Sequence, residues 1–197
     1  MCINTTKENK FEMILGMGKK DSINILGDHI KLPPYADFPN IEGEIISLRQ
    51  IAKADLEDII GISFYDAIQA TTAEIAGEMQ AKIDNDYREG NTIHWGIVEN
   101  STGKITGTCG YYRGFENAEG ELGCVLLPQY RGKGFMTIAM QLAINFGLNS
   151  MGLKRIRAST TAQNFSAISL LERLRFIRVV ELGNDVIEYE LRIQKNS

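Results

Sequence analysis

Gln129, Gly132 and Gly134 stand at the spacing Q/R-x-x-G-x-G/A, within Pro128-Gln129-Tyr130-Arg131-Gly132-Lys133-Gly134. An apolar run, residues 122–127, stops at the proline, and a long apolar segment, residues 135–148, follows the loop. The order is strand, glycine loop, helix. A helix mouth presents backbone N–H groups without intrahelical partners and the positive end of the dipole. Glycines let a ligand approach the backbone with no Cβ in the way. The chemistry predicted is the binding of a phosphate or pyrophosphate. The loop is not the G-x-x-x-x-G-K-S/T of triphosphate sites. Nor is it the dinucleotide fingerprint G-x-G-x-x-G, because Phe135, Met136 and Thr137 follow Gly134.

The elements that must position this loop are legible in the periodicity. Residues 44–49 read as a first strand. Asp55 offers an N-cap, with Leu56, Ile59, Ile60 and Phe64 following at helical spacing. Thr71-x-x-Glu74 reads as a capping box for a second helix, with Ile75, Met79 and Ile83 as its apolar face and Gly90 at its end. Residues 93–98 and 105–111 read as a hairpin pair, in which Gly96, Gly107 and Gly110 hint at bulges or close approaches. Residues 113–120 read as a surface loop and 121–127 as a strand. The helix after the glycine loop, residues 135–149, carries one narrow polar stripe of Thr137, Gln141, Asn145 and Asn149, and Gly152 ends it. Residues 154–160 form a strand. Asn164 caps a helix with Ile168, Leu171 and Leu174 on one face, and residues 179–182 and 186–193 close the chain as strands. The order β-α-α-β-β-β-α-β-α-β-β predicts a mixed α/β (α+β) sheet. Residues 1–42, with Pro33-Pro34 and Pro39, read as an N-terminal extension, either partly ordered or packed on the body or on a second subunit. Residues 22–32 could hold one or two short strands within it. Residues 43–197 form the main domain.

Composition narrows the class. The 197 residues suffice for one domain with a sizeable core. The apolar share of 44% and charged share of 23% are those of soluble globular chains. A net charge of −4 argues against a nucleic-acid partner and suits a cationic amine weakly. Cys2, Cys109 and Cys124 are odd in number and lack metal spacing, so we expect a reducing compartment, no disulfide framework and no metal. No run of about 18 apolar residues predicts a membrane span. The polar N-terminus does not read as a signal peptide. The expected location is cytoplasmic.

The stretch Glu121 to Met136 resembles the acetyl-CoA loop of the GNAT N-acetyltransferase superfamily, and the fuller match resembles its ribosomal-protein-alanine N-acetyltransferase branch. The family counterpart of the last helix reads N-x-x-S-x-x-L-x-E-K-L-G-F. This chain keeps Asn164, Leu170, Glu172, Leu174 and Phe176, with Arg173 for the lysine. It departs at Ala167, in place of a serine that often touches the cofactor, and at Arg175, in place of a helix-closing glycine. The likeness covers roughly residues 43–193. It implies a mostly antiparallel twisted sheet of about six or seven strands flanked by about four helices, with the first two helices walling the acceptor cleft.

The resemblance also implies a chemistry: a primary amine attacks the acetyl thioester of acetyl-CoA directly, in a ternary complex. Backbone N–H groups of Arg131, Gly132, Lys133, Gly134, Phe135 and Met136 would bind the pyrophosphate. The Arg131 and Lys133 side chains either add charge or point into water. Val125, Leu126 and Leu127 would pair with the pantetheine amides in the manner of strand addition. The Leu126 N–H would polarise the thioester carbonyl. Asn164 would reach the pantetheine or serve only as a cap. Glu121 stands where many members place a general base; the other reading is a surface carboxylate at a strand end. The tyrosine that commonly acts as acid is replaced by Leu171, leaving Ser169, Cys124 or water. His94 reads as structural, and His29 is assigned no role. The acceptor suggested by the branch is a protein N-terminal α-amino group. A small amine (polyamine, amino acid or aminoglycoside) and a non-catalytic acyl-CoA-binding module are the alternatives, as monomer or homodimer.

Overall fold

The computed structural model describes residues 30–183 and 185–192. Cys2, His29, Ile193 and most of the expected strand region 22–32 lie outside the described residues. Among those described, nine strands and four α-helices follow in chain order: β1 (Ile46–Arg49), α1 (Leu56–Ile59), β2 (Phe64–Tyr65), β3 (Ile68–Gln69), α2 (Ala73–Arg88), β4 (Ile93–Glu99), β5 (Ile105–Tyr112), β6 (Glu119–Leu126), α3 (Phe135–Phe146), β7 (Arg155–Thr161), α4 (Phe165–Arg173), β8 (Phe176–Gly183) and β9 (Val186–Leu191). Seven of the strands form one sheet in the order β1-β4-β5-β6-β7-β9-β8. Every neighbouring pair is antiparallel except β6 and β7. The mixed, mostly antiparallel sheet with four helices is the expected architecture.

Strand alternation gives the sheet two unlike faces. Trp95, Cys109, Tyr111 and Leu122 are buried in the main core with Phe135, Ala139, Met140 and Ala143 of α3 and Leu171 and Leu174 of α4. The Tyr111 hydroxyl donates to the Ala143 carbonyl at 3.0 Å, tying β5 to α3. Gly147 is needed there, because a Cβ would run into the same hydroxyl. The other face carries His94, Gly110, Tyr112 and Glu121, and α1 and α2 wall it off.

Local expectations shift in several places: β8 begins at Phe176 and not at 179, and β6 begins at Glu119, inside the expected loop 113–120. The first helix is short: α1 gives way to a 3-10 turn at Ile60–Ile62, and Phe64 falls in β2. Three isoleucines and Gly61 in this stretch disfavour helix propagation. Asp55 is not a helix cap. Its carboxylate accepts from both Arg49 guanidinium nitrogens at 2.6 and 2.8 Å and from the Ala52 N–H at 2.7 Å. The cap of α2 is Thr72, not Thr71: its hydroxyl accepts from the Ile75 N–H at 3.3 Å, so no Glu stands at the third helical position and no capping box forms. Finally, α3 ends at Phe146 and widens into a π turn, Gly147–Met151, before Gly152 stops it.

Residues 30–42 lie on the body. Leu32, Tyr35, Phe38 and Ile41 pack against the main core. Trp95 Nε1 donates to the Pro39 carbonyl at 2.7 Å, and the Tyr87 hydroxyl receives the Tyr35 N–H at 3.0 Å.

Candidate active site

Pro128–Tyr130 forms a 3-10 turn in which the Arg131 N–H donates to the Pro128 carbonyl at 3.2 Å. Gly132 and Gly134 follow at φ of 77° and 82°. That conformation costs a residue with a Cβ about 1–2 kcal/mol. The first ladder bond of α3 runs from the Ile138 N–H to the Gly134 carbonyl at 3.3 Å. The N–H groups of Phe135, Met136 and Thr137 are therefore left at the helix mouth. Of the expected donor set, the Arg131 N–H is already engaged in the turn. Lys133 Nζ lies 5.1 Å from the Tyr130 ring centroid and 5.9 Å from that of Phe135. Its charge is thus held over two rings beside the mouth. Arg131 is exposed.

Ahead of the loop the sheet splits. The parallel strands β6 and β7 pair only from Glu119 with Arg155 to Glu121 with Arg157. Among the described residues, 122–126 of β6 have no strand partner on that side. The Leu127 N–H donates to the Thr106 carbonyl at 2.9 Å. Antiparallel alternation then turns the N–H groups of Val125 and Gly123 toward β5, and those of Cys124 and Leu126 toward the opening. Leu126 presents an N–H to the fork, and Val125 and Leu127 do not. Cys124 joins it, which the sequence reading missed.

At the root of the fork lies an ionic lattice. Arg155 contacts Glu119 at 2.9 Å, Glu188 at 3.1 Å and Glu190 at 2.7 Å. Arg157 contacts Glu188 at 3.1 Å and Glu121 at 3.8 Å. Glu121 is only 9% exposed and is gripped by Arg113 at 2.5 Å, so it is no surface carboxylate. The signal for this lattice was present in the sequence: Glu119-x-Glu121, Arg155-x-Arg157 and Glu188-x-Glu190 each carry charge at period two.

A family model for the acetyltransferase (GNAT) domain matches residues 46–177, more than half of the chain. The chain belongs to the GNAT acetyltransferase family. It is similar to the uncharacterized N-acetyltransferase p20 of Bacillus licheniformis, 34% identical over 107 residues, which are 54% of this chain and 60% of p20. The chain thus aligns with less than two thirds of that relative's length. The fold is shared with a ribosomal-protein-S5-alanine acetyltransferase from Vibrio fischeri (TM-score 0.65, 20% identity, 77% of this chain and 95% of that one). It is shared equally with a dodecameric spermidine N-acetyltransferase from Vibrio cholerae (TM-score 0.63, 17% identity, 74% and 92%).

In this GNAT chain the space between α1–α2 and the sheet is a cleft of about 760 Å³. Asp66, Asp86, Glu116 and Glu121 line it, against Arg113 as the single Lys or Arg of the lining. His94, Tyr112 and Cys124 also reach it. Burial pushes the Cys124 thiol up to about 12, so it stays protonated at neutral pH. It is therefore neither a ready nucleophile nor a ready acid. Asn164 Oδ1 accepts from the Ala167 N–H at 3.2 Å, so the carbonyl end of that side chain is a cap and the amide end remains a donor. Ser169 is exposed on α4, while Leu171, the residue in the tyrosine's place, is buried. Among the described residues no group of acidic, histidine and cysteine side chains is arranged for a metal ion. Nor is any helix there long and apolar enough to cross a membrane.

Proposed function

We propose that this chain is an acetyl-CoA-dependent N-acetyltransferase that transfers the acetyl group to a primary amine by direct attack in a ternary complex. The fork carries the reading: an open edge of β6 facing an amine-sized cleft and leading into a glycine-lined helix mouth. Acetyl-CoA supplies the activated thioester. The N–H groups from Gly132 to Met136 hold the pyrophosphate, with Arg131 and Lys133 adding charge. The open backbone of Cys124 and Leu126 pairs with the pantetheine amides, and the Asn164 amide donates beside it. The Leu126 N–H stabilises negative charge developing on the thioester oxygen. Glu121, acting through water, receives the proton of the attacking ammonium. Ser169 or water returns one to the leaving thiolate.

The acceptor we propose is a protein N-terminal α-amino group, in line with the ribosomal-protein branch. The excess of carboxylates over Arg113 in the cleft equally favours a small cationic amine such as a polyamine, and that is the second reading. Calorimetric titration with acetyl-CoA tests the first step; micromolar binding is expected, and no binding by folded protein would remove the reading. Turnover of peptides starting with Ala or Ser, set against spermidine and free amino acids, then separates the acceptors. Binding without turnover of any acceptor would leave an acyl-CoA-binding module.

A further inference from the structure

His94 and Tyr112 have no part in the chemistry assigned above, yet they floor the cleft. Register places His94 opposite Gly110, and Gly110 opposite Gly123, in one row across β4, β5 and β6. Two strand spacings make that row about 10 Å long. Its far end lies beside the open edge of β6. Neither glycine leaves room for a side chain: a Cβ on Gly123 would stand 2.9 Å from Tyr112 Cε2, and one on Gly110 would run into the Ile93 carbonyl oxygen, with His94 Cδ2 at 3.2 Å. The two rings lie over this row, with centroids 5.5 Å apart.

The His94 ring is sealed on one edge. Its Nδ1 is buried and has no hydrogen-bond partner among the described residues, while the residue as a whole is half-buried and lines the cleft. A proton on Nδ1 would be a buried donor without an acceptor, an arrangement folded proteins almost always avoid. The neutral ring therefore carries its proton on Nε2, on the opposite edge. Burial keeps the ring neutral, pushing its pKa down to about 4.

We infer that the Nε2–H of His94 donates a hydrogen bond to a carbonyl oxygen of the acceptor lying across the His94–Tyr112 floor, so that the site selects peptide-like amines. The inference rests on the transferase reading and names the acceptor class within it. An extended chain spans the row in about three residues at about 3.3 Å each. A peptide whose amine reaches the fork thus brings a backbone oxygen to His94. A polyamine spans the same distance with nothing to accept the proton.

Heteronuclear NMR of the imidazole nitrogens reads the tautomer directly. The chain has two histidines, so the His94→Gln variant assigns the signal. A neutral Nε2–H ring at pH 7 is expected; a cationic ring or an Nδ1–H ring would overturn the inference, whether or not any acceptor is turned over. Kinetics give the second readout. The amide nitrogen of Gln falls near Nε2 and that of Asn near Nδ1. With an Ala-starting tripeptide, His94→Asn should raise KM about tenfold, the scale of one lost hydrogen bond, while His94→Gln stays near wild type. With spermidine neither change should matter. Equal losses for peptide and polyamine, or no loss with His94→Asn, would make His94 a packing residue only. Failure of acetyl-CoA to bind would instead strike the transferase reading and leave the tautomer result standing.

Discussion

Arg113 Nη1 stands 2.5 Å from Glu121 Oε1, and on the other side Arg157 Nη2 stands 3.8 Å from Oε2. The carboxylate proposed as base is therefore fixed in place between two guanidinium groups. Arg113 itself sits at φ 64°, a left-handed conformation for a residue with a Cβ. Backbone strain at that position goes with aiming the guanidinium at Glu121. Glu121→Gln keeps the shape and removes the charge. Acetylation should slow by about 10²-fold, the lower range for a general base, with acetyl-CoA affinity unchanged by calorimetry. An unaltered rate at saturating acceptor would sink the base assignment.

The glycine loop is tested at Gly134. Its φ of 82° penalises any side chain, and the adjoining helix mouth is where the pyrophosphate would lie. Gly134→Glu adds a bulky anion at that point. Acetyl-CoA affinity should fall at least tenfold, a cost of about 1.4 kcal/mol. Thermal unfolding measured in parallel separates this from a loss of about 1–2 kcal/mol of stability through backbone strain. Unchanged affinity in the folded variant would refute the loop's role.

Arg175 occupies the helix-closing position at φ 67°, where a glycine would carry no strain. Its N–H still closes α4 onto the Glu172 carbonyl at 2.9 Å, and its carbonyl receives the Arg192 N–H at 3.2 Å, so the conformation is pinned. Arg175→Gly should stabilise the fold by about 0.5–1 kcal/mol, the left-handed penalty less the entropy of glycine. Calorimetric unfolding should show a rise of roughly 1–4 °C. A fall would mean that the Arg175 side chain makes contacts worth more than the strain.

Asp55 anchors the segment that walls the cleft. Burial alone would raise its pKa, but the hydrogen bonds from Arg49 and the Ala52 N–H outweigh burial and hold it below the ordinary value. A depressed folded pKa means the contribution is whole above about pH 4, the unfolded value, and is lost as pH falls through the folded one. Asp55→Asn should therefore cost about 1–3 kcal/mol at pH 7. The gap from wild type should narrow as denaturation is repeated at lower pH. A gap independent of pH would assign the loss to packing instead.

The sequence by itself determined the parts whose physics is local. The glycine loop was legible because Gly132 and Gly134 need left-handed φ, and their spacing between an apolar strand and an apolar helix survives in one dimension. Most strands were legible from period two, and Asn164 from its capping chemistry. Local competition blurred the ends: two threonines could each cap α2, and a run of β-branched residues cut α1 short. Tertiary structure decided what depends on pairing between distant strands. The fork exists because the register of β6 with β7 stops at Glu121 and Arg157, and the parity of β6 with β5 chooses Leu126 and Cys124 over Val125. No single strand encodes either fact. The same holds for Glu121, whose sequence neighbourhood fits a surface carboxylate. Arg113 across the β5–β6 turn and Arg157 from the next strand make it a buried, clamped one.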